Sequence, residues 1–226
     1  MKNLIIFDFD DTIVDNSKLD YMGFKIPCTN LNLDYPNPSI LKKYRKKGMI
    51  AEKIIELYTD DNKKIIKFLE QRKIFLNNNS NKYLKIRPYS KVVLKKLINS
   101  NNELLICTAN SNPKNIRTFL EKNNLDGLFK NLYSIQNLVF KIDNNNFENR
   151  ILIKTSLLKF IIKNKKNSYH KLFYIGNSLE DFKAAKKLKI NFIYFINPYL
   201  PKPNLKNLLK INEFKQILNI IPEVEI

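Results

Sequence analysis

The chain has 226 residues, with 40 Lys and Arg against 21 Asp and Glu for a formal charge of +19, and two cysteines. This length supports one sizeable core plus a small insertion. Cys28 and Cys107 lie far apart, without C-x-x-C or zinc-ligand spacing, which excludes a disulfide mini-protein or a zinc module. Met1-Lys2-Asn3 leads straight into an apolar stretch, leaving no room for a signal peptide, and no run reaches the length of a membrane span, so a soluble cytoplasmic protein with reduced thiols is expected. The positive charge is spread over every segment among many Asn and Ile, which reads as a solvated basic surface and disfavours a nucleic-acid site. The same field attracts anionic substrates.

In chain order, Leu4 to Phe7 is an uninterrupted apolar run that predicts a strand buried on both faces. Asp8 and Asp10 stand at its end, where residues i and i+2 of an extended chain point to one side, and Thr12 adds a hydroxyl in the tight turn that follows. About 70 residues then intervene before the next plausible sheet strand, too many for an ordinary βα loop, so residues 16–85 are expected to form a small helical unit. Within it, Asn16 to Pro38 carries Pro27, Pro36 and Pro38 as breakers and predicts loop. Ser39 is the expected cap of a helix reaching Lys47, and Ile50, Ile54, Leu57 and Tyr58 repeat at helical spacing. Asp60 or Asp61 caps a further helix with Ile65, Phe68 and Leu69 as its apolar stripe. The basic run Lys42, Lys43, Arg45, Lys46 and Lys47 reads as a solvated helix face.

Beyond the insertion, Ser90 is the expected cap of a helix carrying Val93, Leu94, Leu97 and Ile98. Glu103 to Cys107 predicts a second buried strand, with Thr108, Ala109 and Asn110 at its carboxyl end, followed by a helix over residues 113–123 and a third strand at Leu132 to Ile135. Leu138 to Ile142 and Ile151 to Ile153, flanking the Asn-rich turn Asp143 to Asn146, suggest a small hairpin. Lys154 opens a helix with Leu157, Leu158, Ile161 and Ile162 inward. A buried strand at Leu172 to Ile175 then runs into Gly176-Asn177-Ser178-Leu179-Glu180-Asp181. A helix over 182–188, a strand at Asn191 to Ile196, the Pro-rich 198–203 and C-terminal helices including Glu213 to Leu218 complete the reading. Strands alternating with helices imply an α/β fold with a doubly wound parallel sheet, built from residues 1–15 and 86–226. The carboxyl ends of parallel strands share one rim, so Asp8/Asp10, Thr108 and Asn177/Asp181 are expected to converge.

The D-x-D-x-T of Asp8, Asp10 and Thr12 after an apolar strand resembles the first motif of the haloacid dehalogenase superfamily of aspartate-nucleophile phosphatases. The order of the remaining clusters resembles that superfamily's motifs over the chain outside the insertion, with Thr108 at the strand-end threonine, Lys154 at the lysine (Lys141 being its rival) and Gly176 to Asp181 at the final acidic loop. An insertion directly after the first motif matches its helical-cap class, on a Rossmann-like core. The resemblance implies that Asp8 attacks phosphorus to form an aspartyl-phosphate and that Asp10 is the acid/base. It further implies that Lys154, Thr108, Ala109 and Asn110 hold the phosphoryl group, and that Mg²⁺ is bound by Asp8, the main chain of Asp10, Asn177 and Asp181. One departure stands out: Asn177 occupies the first acidic position of the final motif, removing a formal charge from a site for a hard cation.

The leading expectation is therefore a Mg²⁺-dependent phosphatase acting on a small phosphorylated metabolite. A phosphomutase of the same superfamily is the enzymatic alternative, and a basic nucleic-acid-binding protein on a degenerate fold of this type is the non-enzymatic one. His170 has no Ser or Cys motif to partner, and Cys107 reads as a buried small hydrophobe. Nothing in the insertion specifies the substrate.

Overall fold

In the computed structural model, residues 2–138, 147–165, 169–201 and 208–221 are described. The strands and helices, in chain order, are β1 (Lys2–Phe7), β2 (Val14–Asp15), α1 (Ser17–Asn30), α2 (Pro38–Lys46), α3 (Ala51–Ile55), α4 (Asn62–Tyr83), β3 (Lys85–Ile86), α5 (Ser90–Asn99), β4 (Asn102–Cys107), α6 (Pro113–Lys122), β5 (Asn131–Tyr133), α7 (Phe147–Lys165), β6 (Tyr169–Gly176), α8 (Leu179–Lys187), β7 (Asn191–Phe195), β8 (Leu209–Ile211) and α9 (Ile217–Ile220). The chain divides into two compact units, one of Met1–Val14, Ile86–Ile196 and Asn204–Ile226, the other of Asp15–Lys85 and Asn197–Pro203.

The first unit is built on a six-stranded sheet in the order β5-β4-β1-β6-β7-β8, with every pairing parallel. The most apolar strand lies inside: Leu4 to Phe7 are all buried, and β1 pairs with β4 on one side and β6 on the other. From β1 the chain winds outward to β4 and β5, then returns to β6 and winds the other way, which creates a crevice at the carboxyl ends of β1, β4 and β6. Strand alternation assigns the faces. Leu4 and Ile6 join Leu105, Cys107 and Tyr174 against α7 and α8 through Ile153, Leu157, Leu158, Ala184 and Ala185. Phe7, on the opposite face, lies edge-on to Phe129 and stacks with Phe214, at ring-centroid distances of 6.2 and 6.1 Å. Two steps beyond Ile6, Asp8 falls on the side covered by α7.

The sheet has one strand that sequence reading missed, β8. It is only three residues long, with Leu209 exposed and Ile211 buried, too short to show a period of two. The expected strand at Ile151 to Ile153 is instead the interior of α7. Ile151, Lys154, Leu157, Leu158 and Ile161 are buried at helical spacing while Leu152 is half exposed, so the apolar triplet belongs to a 3.6-residue period. The rest of the proposed hairpin, and Lys141 with it, lies outside the described residues. At α5, Ser90 is the first helical residue and not the cap: Tyr89 precedes it at φ 64°, and the Ser90 hydroxyl donates to the Arg87 carbonyl at 2.7 Å.

In the second unit the expected loop over Asn16 to Pro38 is largely helix α1. Leu19, Gly23, Phe24, Pro27 and Cys28 are buried along one face, a spacing of i, i+4, i+5, i+8, i+9 that outweighs the single backbone bond proline removes. Gly23 lets α1 lie close on α4, since a Cβ there would stand 3.0 Å from Leu76. The core of this unit gathers Phe24, Cys28, Leu41, Ile54, Ile55, Ile65 and Phe68. Helix α2 is capped by Asn37, whose Oδ1 accepts from the Ile40 amide at 3.0 Å and also from the Ser39 hydroxyl, so Ser39 serves the cap without being it. Asp61 caps α4 by accepting from the Lys63 and Lys64 amides.

Candidate active site

At the strand ends of the first unit Asp8, Thr12, Thr108, Lys154, Asn177 and Asp181 are buried and Asp10 and Asn110 partly so, although burial without partners would cost such groups several kcal/mol. Their partners are one another. Lys154, projecting from α7, donates its ammonium to Asp8 Oδ1 and forms an ion pair with Asp181 Oδ1 at 2.9 Å. The same nitrogen reaches the Tyr174 hydroxyl at 3.2 Å and the Cys107 carbonyl at 3.4 Å. The Tyr174 hydroxyl in turn donates to Asp181 Oδ1. Burial by itself favours a neutral amine, but Asp181 and Asp8 outweigh it and hold the Lys154 ammonium above the ordinary lysine value. Burial likewise pushes the Asp8 carboxyl up, with the Lys154 charge opposing it. Tyr174 is kept a neutral phenol by burial and by the neighbouring Asp181.

Asp181 is the most constrained acid of the group. It sits three residues past Ser178, the N-cap of α8. Its Oδ2 accepts from the Ser178 amide at 3.2 Å and hydroxyl at 2.7 Å, while its own amide donates to Ser178 Oγ at 3.1 Å, a reciprocal capping box. Gly176 makes the close approach possible, because a Cβ there would lie 2.6 Å from Asp181 Oδ2. Both Asp181 oxygens are thus engaged, Oδ1 by Lys154 and Tyr174 and Oδ2 by Ser178.

A second strand of contacts runs through the turn after β1. Thr12 Oγ1 donates to Asn177 Oδ1 at 3.1 Å and stands 3.5 Å from Asp8 Oδ2, so the carboxylate and the amide face a common hydroxyl. Asp10 Oδ2 accepts from the Asn110 side-chain amide at 3.1 Å, and the Asn110 main-chain amide donates to Thr108 Oγ1 at 3.1 Å. Asp8 and Asp10 therefore make different contacts, one with α7 and the other with the segment after β4. Ala109, between Thr108 and Asn110, packs partly buried against the core that carries Cys107. Burial raises the Cys107 thiol to about 12, so it is a neutral core residue.

Three contributors escaped sequence reading. Arg87 donates through Nη2 at 2.9 Å and Nε at 3.3 Å to the Asp11 carbonyl and lies over the Phe195 ring at 4.9 Å, bracing a turn in which Asp11 takes φ 58°. A short polar side chain tolerates that left-handed conformation best after glycine. Tyr174 looked like one more apolar strand residue. Ser178 had a visible signal, the S-x-x-D spacing of a capping box.

The chain belongs to the haloacid dehalogenase-like hydrolase family, whose profile matches residues 5–195. Solved structures similar to it include a candidate phosphatase from Clostridium difficile, at 16% identity and TM-score 0.73 over 97% of this chain and 98% of that one. A predicted phosphoglycolate phosphatase from Haemophilus somnus aligns at 18% identity and TM-score 0.68, covering 97% of each chain. A candidate beta-phosphoglucomutase from Thermotoga maritima aligns at 14% identity and TM-score 0.69, over 97% of this chain and 98% of that one. At such identities the likeness concerns the fold. No curated protein matches the chain in sequence. Among the described residues, no helix is long and apolar enough to cross a membrane.

Proposed function

We propose that this hydrolase cleaves a small phosphorylated metabolite by phosphoryl transfer to Asp8, with residues 1–15 and 86–226 as the catalytic core and 16–85 as a helical cap. The observation that carries the reading is the buried Asp8–Lys154–Asp181 group at the carboxyl end of the central strand. An Asp8 oxygen attacks phosphorus and the bond to the leaving oxygen breaks, giving an aspartyl-phosphate. Asp10 donates a proton to the departing oxygen. It then takes a proton from the water that attacks the phosphorus, which releases phosphate and restores Asp8. Thr108, Ala109 and Asn110 face the phosphoryl oxygens, and Lys154 compensates their charge as it keeps Asp8 oriented.

Asp8 Oδ2, Asn177 Oδ1 and the main-chain carbonyl of Asp10 are the residues' candidate donors for Mg²⁺. An all-oxygen set suits a hard cation. Bound there, Mg²⁺ would supply positive charge that lets an anionic nucleophile meet an anionic substrate. Asp181, with both oxygens engaged, is better placed to orient Lys154 than to ligate metal.

The test is a panel of phosphorylated metabolites assayed with Mg²⁺, for the native chain and for Asp8→Asn. Phosphate release that disappears in Asp8→Asn, by about a thousand-fold or more, is expected. Equal release from both forms removes Asp8 as nucleophile, and a phosphorylated product in place of free phosphate redirects the reading to a phosphomutase.

A further inference from the structure

We infer that this site takes up its divalent cation and a phosphoryl group as a coupled pair, with weak affinity for the cation until phosphate oxygens join it. The inference rests on the phosphoryl-transfer reading and adds to it the dependence of one ligand on the other. Asp11 and Glu180 pair with Arg87 and Arg150; of the remaining strand-end carboxylates Asp181 is engaged on both oxygens by Ser178, Tyr174 and Lys154, and Asp10 is turned to the Asn110 amide. Asp8 shares one oxygen with the Lys154 ammonium. Its other oxygen faces the Thr12 hydroxyl together with Asn177, whose amide oxygen carries no formal charge. A cation received on this side therefore meets one carboxylate oxygen and neutral oxygens, with a lysine ammonium on the far side of the same carboxylate. Among the described residues, no three acidic, histidine or cysteine side chains form a group able to hold a metal. A divalent cation that keeps most of its water and binds through one or two carboxylates gains most from phosphate oxygens. The phosphate dianion supplies the charge that Asn177 withholds, and without an acid at 177 it meets less repulsion. Coupling of this kind is reciprocal, so the cation strengthens phosphate binding by the same factor.

The experiment measures Mn²⁺ binding to the full chain from the free-ion electron paramagnetic resonance signal, with and without saturating inorganic phosphate, and phosphate binding by calorimetry with and without Mn²⁺. Expected are about tenfold or greater tightening in both directions, and, in Asn177→Asp, tighter Mn²⁺ binding without phosphate and a coupling reduced to a few-fold. Should Asn177→Asp not fold by circular dichroism, Asn177→Ala is used, in which Mn²⁺ binding without phosphate weakens further. Phosphate and Mn²⁺ that bind independently of each other overturn the inference and leave the phosphoryl-transfer reading standing, as does a coupling unchanged in Asn177→Asp or, where Asn177→Ala is used, an Mn²⁺ affinity without phosphate equal to that of the native chain. No phosphate binding with or without Mn²⁺, in the native chain or its variants, overturns that reading and the inference with it.

Discussion

The two units each hold a charge cluster, buried in the first and partly buried in the second, and the two are inverted copies in composition. In the first, one cation, Lys154, stands between two carboxylates, Asp8 and Asp181. In the second, one carboxylate, Asp20 of α1, stands between two guanidiniums. Arg45 grips it through Nε and Nη2 at 2.8 and 2.7 Å, and Arg72 through Nη2 at 2.5 Å. Both arginines also lie over the Phe24 ring, at 5.6 and 5.3 Å. Although burial opposes it, these hydrogen bonds and charges hold the Asp20 carboxyl below the usual range. The difference lies in what remains available. Asp20 is closed on both oxygens by fork-shaped donors, a geometry that ties α1 to α2 and α4. Asp8 has a point-charge donor on one oxygen and a distant hydroxyl near the other. Closed pairing suits architecture, and incomplete pairing suits a group that must accept a new bond.

The largest test of this contrast exchanges the two acids for amides. Asp8→Asn is expected to abolish turnover while moving the unfolding free energy by about 1–2 kcal/mol, because Lys154 keeps Asp181 as its counter-ion. Asp20→Asn leaves two guanidiniums without their anion and is expected to destabilise the second unit by about 2–4 kcal/mol in denaturant unfolding. If Asp20→Asn unfolds like the native chain, the closed cluster is not structural.

A smaller effect separates orientation from packing within the first cluster. Tyr174→Phe keeps the ring against Phe192, 5.7 Å away, but removes the hydroxyl between Lys154 and Asp181. Turnover should fall about tenfold with stability changed by about 1 kcal/mol. Rates equal to those of the native chain would show that Asp181 and Asp8 orient Lys154 unaided.

The smallest effect lies at the other end of the sheet, where Glu103 of β4 binds Lys2 at 2.9 Å and also Lys165. Burial acts to raise its carboxyl, but these lysines hold it down to about 2. A depressed folded-state value means stability that is present above the unfolded value near 4.5 and is lost as pH falls through about 2. Solvent screening keeps the amount to about 1 kcal/mol or less. Glu103→Gln should flatten the acid limb of unfolding between these values, measured by thermal midpoints. An unchanged acid limb would remove the pair as its cause.

Elements carried by strong local signals were legible: the apolar run of β1, the strand of β4, and Asp61 as one of two named caps. Helix α1 was not, because Pro27 is a local breaker, whereas the burial of Phe24 against Phe68 is a tertiary reward invisible in the segment. The Ile151 to Ile153 triplet was ambiguous for a similar reason, since three residues fit a period of 2 as well as one of 3.6, and only the face turned to the sheet decides.

For the site, the chain alone determined that acids, a threonine and an asparagine stand at the ends of apolar strands, and hence that an α/β sheet would bring those ends to one rim. Strand alternation and helical periodicity are local properties and can be counted along a sequence. Which group then meets which was decided by tertiary structure. Strand order sets β1 between β4 and β6, α7 covers the face to which Asp8 points, and the α8 capping box takes one oxygen of Asp181 while Lys154 and Tyr174 take the other. Hydrogen bonds hold to a few tenths of an ångström between residues more than a hundred positions apart, and no pattern along the chain encodes such distances.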